Sequence, residues 1–235
     1  MSQKFSIVIP VYNEEKNIKI LINEIIGIKN IQDYINDIII VDDKSNDKSI
    51  DEINHLKKFN NKIKLLTHFK NLGQSHALLT AAKNSKSSIL ITIDADCQNN
   101  PADIEKMIKI YISDDKIKLV AGIRRSRKDN LIKKISSKIA NKIRKAILDD
   151  DCDDTGCSLK IFDKEIFLSL PFFNGIHRFL PALYKYKKST NYYIDVDHRQ
   201  RINGLSKYGT FDRAFKGIFD LFYVRRIIKE MNRND

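Results

Sequence analysis

Five short apolar runs rich in β-branched residues punctuate the first half of the chain, at Phe5–Val11, Asp37–Val41, Lys62–Thr67, Ile89–Ile93 and Ile117–Ala121. Helical periodicity fills the intervals. Ile18, Leu21, Ile22, Ile25 and Ile26 recur at three- and four-residue steps, as do Ile50, Ile53 and Leu56, which gathers each set on one face of a helix. A further helix is expected to open at Asn100, with Pro101 in the first helical position and Ile104, Met107, Ile108 and Tyr111 as its stripe. Strands apolar along their whole length need cover on both faces. The alternation therefore predicts an α/β fold, Rossmann-like, with a mostly parallel sheet flanked by helices. In such sheets ligands sit outside the carboxyl ends of the strands.

After about residue 122 the pattern changes. Leu131 to Leu148 reads as a basic amphipathic helix with Ile132, Ile135, Ile139 and Ile143 at helical steps. A mixed region runs from Asp149 to Gly209, and a last amphipathic helix from about Phe211 to Met231. Neither a Pro-, Gly- or Ser-rich linker nor an internal repeat divides the chain. Its 235 residues suffice for one sizeable core, so a single domain over 1–235 is expected.

Charge narrows the partners. The formal net charge is +12, and from Arg124 to Lys145 ten Lys or Arg residues face one acid, Asp129. An anionic partner fits this surplus, although a sequence so heavy in Ile, Lys and Asn carries some of it as compositional drift. No run of 18 apolar residues occurs, and the N-terminus enters a strand without a signal-peptide layout. Cys97, Cys152 and Cys157 are an odd set without paired zinc-ligand spacing, and read as reduced thiols in a cytoplasmic protein. His55, His68 and His76 also lack metal-ligand spacing.

The strand ends hold the chemistry. The first ends in Pro10-Val11-Tyr12-Asn13-Glu14-Glu15, a turn that a capped helix start explains equally well. The second ends in Asp42-Asp43. Asp42 is the better ligand contact, because a carboxylate accepts from a base N–H or a ribose hydroxyl; Asp43 could equally cap the next helix. The fourth runs into Asp94-Ala95-Asp96-Cys97-Gln98. Residues i and i+2 of an extended chain face one side, so Asp94 and Asp96 can converge, and two close carboxylates repel unless a cation or proton separates them. Mg²⁺ or Mn²⁺ suits such a pair, with phosphate oxygens completing its shell. Gln98 could add an amide oxygen.

Taken together, Ile9 to Glu15, Val41 to Ser45, Asn71 to Ser75 and Asp94 to Gln98 resemble family 2 glycosyltransferases of GT-A fold. The branch is that of dolichyl-phosphate mannose synthases and bacterial polyprenyl-phosphate glycosyltransferases. The resemblance continues through Asp154 to Cys157, Gly175 to Leu183, His198-Arg199 and Arg201 to Gly209, in order and across nearly the whole chain. It implies a nucleotide-sugar half over 1–122, an acceptor half over 123–210 and a C-terminal amphipathic helix over 211–235. Pro10, Tyr12, Glu14 and Asp42 would line the nucleotide pocket, and Asp94, Asp96 and Gln98 would hold the metal on the diphosphate. Arg124 would sit near a donor or acceptor phosphate, and Arg201 and Lys207 would close over the phosphates. Ser136 would lie in the acceptor loop, with Lys134, His177 and Arg178 also in the acceptor half. Two departures stand out: Lys44 occupies a turn position where the family usually has glycine, and Lys70 stands where many relatives carry Arg.

The implied reaction is displacement with inversion, from a GDP- or UDP-sugar, mannose favoured, to a polyprenyl phosphate. An acceptor with a second pKa of roughly 6 arrives largely deprotonated, so cations to bring two anions together matter more than a base; Asp154 is a base or a positioning group. Lys133, Lys134, Lys138, Lys142 and Arg144 around the first amphipathic helix, and Arg225 and Arg226 behind Phe211, Phe215, Ile218, Phe219 and Phe222, suit an anionic membrane surface. Core packing on one side and solvated cations on the other explain the same pattern. Many bacterial relatives continue into membrane helices where this chain stops at Asp235, so peripheral placement, with or without a separate membrane-protein partner, is expected. A saccharide acceptor in cell-envelope synthesis is the nearest alternative. A sugar-nucleotide-forming nucleotidyltransferase would need a Gly-rich basic loop where Pro10 to Glu15 stands. A nucleic-acid-binding module is the rival of a different class, and the chain lacks a recognisable motif for it.

Overall fold

The computed structural model describes residues 3–124, 141–201 and 210–234. Seven strands form one sheet: β1 (Phe5–Val11), β2 (Ile35–Asp42), β3 (Ile63–Thr67), β4 (Ile89–Thr92), β5 (Ile117–Arg124), β6 (Lys160–Asp163) and β7 (Thr190–Val196). Their order is β3-β2-β1-β4-β6-β5-β7. β6 alone runs against its neighbours, pairing antiparallel with both β4 and β5, while every other pairing is parallel. The expected mostly parallel α/β sheet is therefore present, with an inserted antiparallel strand.

Helices cover both faces. α1 (Ile18–Gly27), α2 (Ser49–Lys57) and α4 (Asp103–Tyr111) lie on one, and α3 (Gln74–Asn84), α6 (Lys164–Ser169), α7 (Leu180–Tyr186) and α8 (Thr210–Asn234) on the other. A short helix over 141–148, α5, follows β5. Strand alternation divides the core: Phe5, Ile7 and Ile9 of β1 face the first helix layer, and Val8 faces the second. Both sets are fully buried, which is why these strands contain no polar face.

Three expectations change in detail. α4 begins at Asp103, with Ala102 and not Asn100 at its N-cap, because residues 101–102 form a turn in which Asn100 Oδ1 accepts from the Ala102 N–H at 3.1 Å. Most of the predicted basic helix lies outside the described residues, and its visible end turns differently from the sequence pattern. Arg144 is buried and grips Asp150 through Nε (2.9 Å) and Nη2 (3.0 Å), while Ile143 is half exposed. Arg144 is thus an interior tie. α8 packs along one face and not the other: Leu221, Val224 and Ile227 are buried, and Phe219, Phe222 and Tyr223 are exposed. No helix among the described residues is long and apolar enough to cross a membrane.

Candidate active site

At the carboxyl end of β1 the chain knits to the loop after β2. Asn13 N–H donates to Ser45 Oγ (2.9 Å), Glu14 N–H to Ser49 Oγ (2.8 Å) and Glu15 N–H to Asp47 Oδ2 (3.1 Å). Lys44 holds φ +66° in that loop. The turn thus keeps the left-handed backbone that glycine would adopt freely, and Lys44 bears the strain. Asp42 is fully buried; its Oδ2 accepts from Ser45 N–H at 3.0 Å, and its Oδ1 has no partner among the described residues. A buried acceptor left open is uncommon. Pro10, Tyr12 and Glu14 sit partly exposed at the same sheet edge.

Asp43 does not cap α2. Its carboxylate instead gathers the loop leading into α3, accepting from Leu72 N–H (2.8 Å) and Gly73 N–H (2.7 Å) and contacting His68 Nδ1 (2.7 Å). His68 reaches on to Thr80 through Nε2 at 2.9 Å. Gly73, at φ +89°, supplies the one conformation in this loop that a side chain would strain.

Beyond β4, Asp94, Asp96 and Gln98 are partly exposed while Ala95, Cys97 and Asn99 between them are buried. Cys97 at φ +59° bends this segment. Burial, and then the charge of Asp96, push the Asp94 carboxyl up to about 6. Asp94 Oδ1 accepts from Gln74 Nε2 at 2.8 Å, and Asp96 Oδ2 from Arg201 Nη2 at 2.7 Å. Two neighbouring carboxylates with oxygens at an accessible edge fit a hard dication that takes its other ligands from phosphate and water. The residues suit Mg²⁺ or Mn²⁺.

A strap after β7 crosses this loop. Arg199 N–H donates to Gln98 O at 2.7 Å, and its guanidinium holds both Glu24 oxygens (2.9 Å each) and Asn100 Oδ1 (2.7 Å). The strap delivers Arg201 to Asp96. Arg124, at the end of β5, is locked to Asp154: Nε donates at 2.6 Å and Nη2 at 2.8 Å, a bidentate pair that is largely buried. Behind them Lys160 is buried and donates to the Thr155 and Cys157 carbonyls; burial lowers its pKa. Gln74, Thr92, Ser158, Lys160 and His177 line a small cavity.

His177 meets Ser75 Oγ through Nδ1 at 2.8 Å, and Arg178 pairs with Asp220 of α8 at 2.5 Å. The first belongs to the site wall; the second ties the wall to the last helix. Ser136, Lys134 and Lys207 lie outside the described residues. Burial pushes the thiols of Cys97 and Cys152 up to about 11, so neither is a nucleophile at neutral pH. Sequence reasoning gave no role to Gln74 or Arg199. Both stood inside family-like segments, Asn71 to Ser75 and His198-Arg199.

The model of the family described as "Glycosyl transferase family 2" matches residues 6–170, the stretch that carries the knitted turns, the carboxylate pair and the Arg124–Asp154 lock. With that match over more than half its length, the chain belongs to this family. A dodecaprenyl-phosphate galacturonate synthase of Rhizobium johnstonii is 31% identical over 229 residues, covering 95% of this chain and 67% of that protein. An undecaprenyl-phosphate 4-deoxy-4-formamido-L-arabinose transferase of Photorhabdus laumondii is 30% identical over 222 residues, covering 93% and 67%. The chain thus spans about two thirds of the length of these relatives. In fold it resembles glucosyl-3-phosphoglycerate synthase of Mycobacterium tuberculosis, solved with Mn²⁺, UDP and glucosyl-3-phosphoglycerate. The TM-score is 0.72 at 16% identity, covering 95% of this chain and 80% of that one. The GT-A arrangement is shared at that level.

Proposed function

We propose that this chain transfers a sugar from a nucleoside-diphosphate donor to a polyprenyl phosphate at a membrane surface, with inversion at the anomeric carbon. The observation that carries the reading is the Asp94–Asp96 pair at the carboxyl end of β4, in a chain whose relatives are named for polyprenyl-phosphate sugar chemistry. Asp42, whose buried Oδ1 has no partner among the described residues, belongs to the nucleoside side with Pro10, Tyr12 and Glu14. Asp94 and Asp96, with Gln98, would hold Mg²⁺ or Mn²⁺, which when bound offsets charge growing on the departing diphosphate.

The acceptor phosphate oxygen forms its bond to the anomeric carbon as the bond from that carbon to the donor diphosphate breaks, and the electron pair leaves with the diphosphate. The acceptor is already an anion, so no side chain need take a proton. Asp154, with both oxygens committed to Arg124, acts as a positioning group; it presents the guanidinium to a phosphate. Arg201 and Lys207 close over the phosphates, and Ser136, Lys134, His177 and Arg178 belong to the acceptor side. The donor is a GDP- or UDP-sugar. Mannose is one candidate, and the galacturonate and formamido-arabinose of the relatives' names are others. The exposed Phe219, Phe222 and Tyr223, beside exposed Arg225, Arg226 and Lys229, suit peripheral attachment at the inner face of the membrane.

The test is a panel of radiolabelled GDP- and UDP-sugars with undecaprenyl phosphate, detergent and Mg²⁺ or Mn²⁺, following label into an organic phase. Label extracted with at least one donor supports the reading. Sugar released to water or joined to a soluble saccharide, with no lipid product from any donor, contradicts the acceptor.

A further inference from the structure

Three successive residues at the start of α3 reach three different parts of the site. Gly73 N–H donates to Asp43 at the end of β2 (2.7 Å). Gln74 Nε2 donates to Asp94 beyond β4 (2.8 Å). Ser75 Oγ accepts from Gly175 N–H (2.8 Å) and meets His177 Nδ1 (2.8 Å) in the acceptor half. Ser75 is fully buried, and Asp43 holds the preceding turn through Leu72 N–H as well. The backbone that presents the Gln74 side chain is therefore tied on both sides.

The two acids of the pair are held in different ways. Asp96 receives a guanidinium, which neutralises it and competes with any other cation for its oxygens. Asp94 receives neutral donors, the Gln74 amide on Oδ1 and the Ser158 hydroxyl. Such a donor fixes the rotation of a carboxylate, otherwise a broad and loosely defined torsion, while leaving its charge intact. An orienting partner that does not compete is what a metal-binding carboxylate needs from its outer shell.

We propose that Gln74 is a positioning residue of the ion site: its amide aims Asp94 at the dication from a turn anchored on Asp43 and Ser75. This rests on the ion reading given above. Gln74→Met keeps the length of the side chain and removes the donor; Gln74→Lys keeps a donor and adds a competing charge.

The probe is MnCl₂ alone, then MnCl₂ with excess UDP or GDP, titrated into the whole chain while free Mn²⁺ is followed by electron paramagnetic resonance. Thermal melting in EDTA reports folding. Both variants are expected to melt close to the parent and to bind Mn²⁺ about tenfold or more weakly, the range typical of outer-shell partners. A merely space-filling Gln74 would leave Mn²⁺ affinity unchanged in Gln74→Met, whatever the melting temperature, and that result overturns the inference. So would Gln74→Lys binding Mn²⁺ as tightly as the parent, since a cationic donor should then be tolerated. Tight Mn²⁺ binding by the parent with unaffected variants removes only the role of Gln74. A parent that binds no Mn²⁺ with either nucleotide removes the ion reading and this inference together.

Discussion

The sheet presents two acidic strand ends, and they are built to opposite purposes. After β2, Asp43 is buried and its two oxygens are engaged by Leu72, Gly73 and His68. After β4, Asp94 and Asp96 stay partly exposed; Gln74 and the Ser158 hydroxyl hold Asp94, while Arg201 and the Gln98 N–H (3.1 Å) hold Asp96. Two backbone donors from a different loop hold Asp43, against the single local one that Asp96 receives from Gln98. Side chains can swing away. An acid's neighbours, as much as its burial, decide whether its oxygens are committed to the fold.

The sharpest way to break this contrast is to remove one acid from each end. Asp96→Ala should fold with an unchanged urea midpoint and lose at least about a hundredfold in transfer rate, through loss of the dication's hold on the leaving group. Turnover at the parental rate would remove the ion from the mechanism. Asp43→Ala should do the reverse in kind, costing about 3–5 kcal/mol of stability by stranding the Leu72 and Gly73 amides and His68. Urea unfolding measures it, and a loss below about 1 kcal/mol would show that Asp43 is not the structural acid.

pH sharpens the same contrast. The Asp94 carboxyl is raised to about 6 by burial and by Asp96. A raised acid is penalised when ionised, so in EDTA the fold should gain stability as pH falls through about 6 toward the ordinary carboxylate range. Mn²⁺ affinity should move the other way, falling as a proton takes the ion's place. Calorimetric Mn²⁺ titrations from pH 7.5 down to about 5 should register that fall; affinity flat across the window would mean Asp94 is not a ligand.

The smallest effect lies in the turn after β2. Lys44 at φ +66° occupies a conformation that costs a side chain roughly 1–2 kcal/mol. Lys44→Gly should therefore stabilise the fold by about 0.5–1 kcal/mol, after glycine's extra unfolded-state entropy is counted. A lower urea midpoint would show that the Lys44 side chain contributes more than its backbone costs.

Much of this was legible in the sequence, for local reasons. β1 to β5 fall within a few residues of their apolar runs, and α1 and α2 follow their isoleucine spacing. α3 drew no such signal, because its buried face is largely Ser75, Ala77, Ala81 and Ala82, small residues with little periodic hydrophobicity. β6 has four residues, and β7 is an edge strand with alternating exposure, so neither stands out as an apolar run. Asp94 and Asp96 were readable because their spacing is itself the signal. The bonds that decide their roles were not: Gln74 lies 20 positions from Asp94 and Arg201 lies 105 from Asp96, and only the folded sheet brings them together. The glycine expected at position 44 was legible as a mismatch, and the positive φ found there gives it a physical cost.

The most direct measurement is anomalous diffraction from a crystal soaked with MnCl₂ and a nucleoside diphosphate. The account predicts one strong peak bridging Asp94 and Asp96, with Arg201 released from Asp96 to make room. Manganese bound elsewhere on the chain, with the Asp96–Arg201 pair still closed, would contradict it.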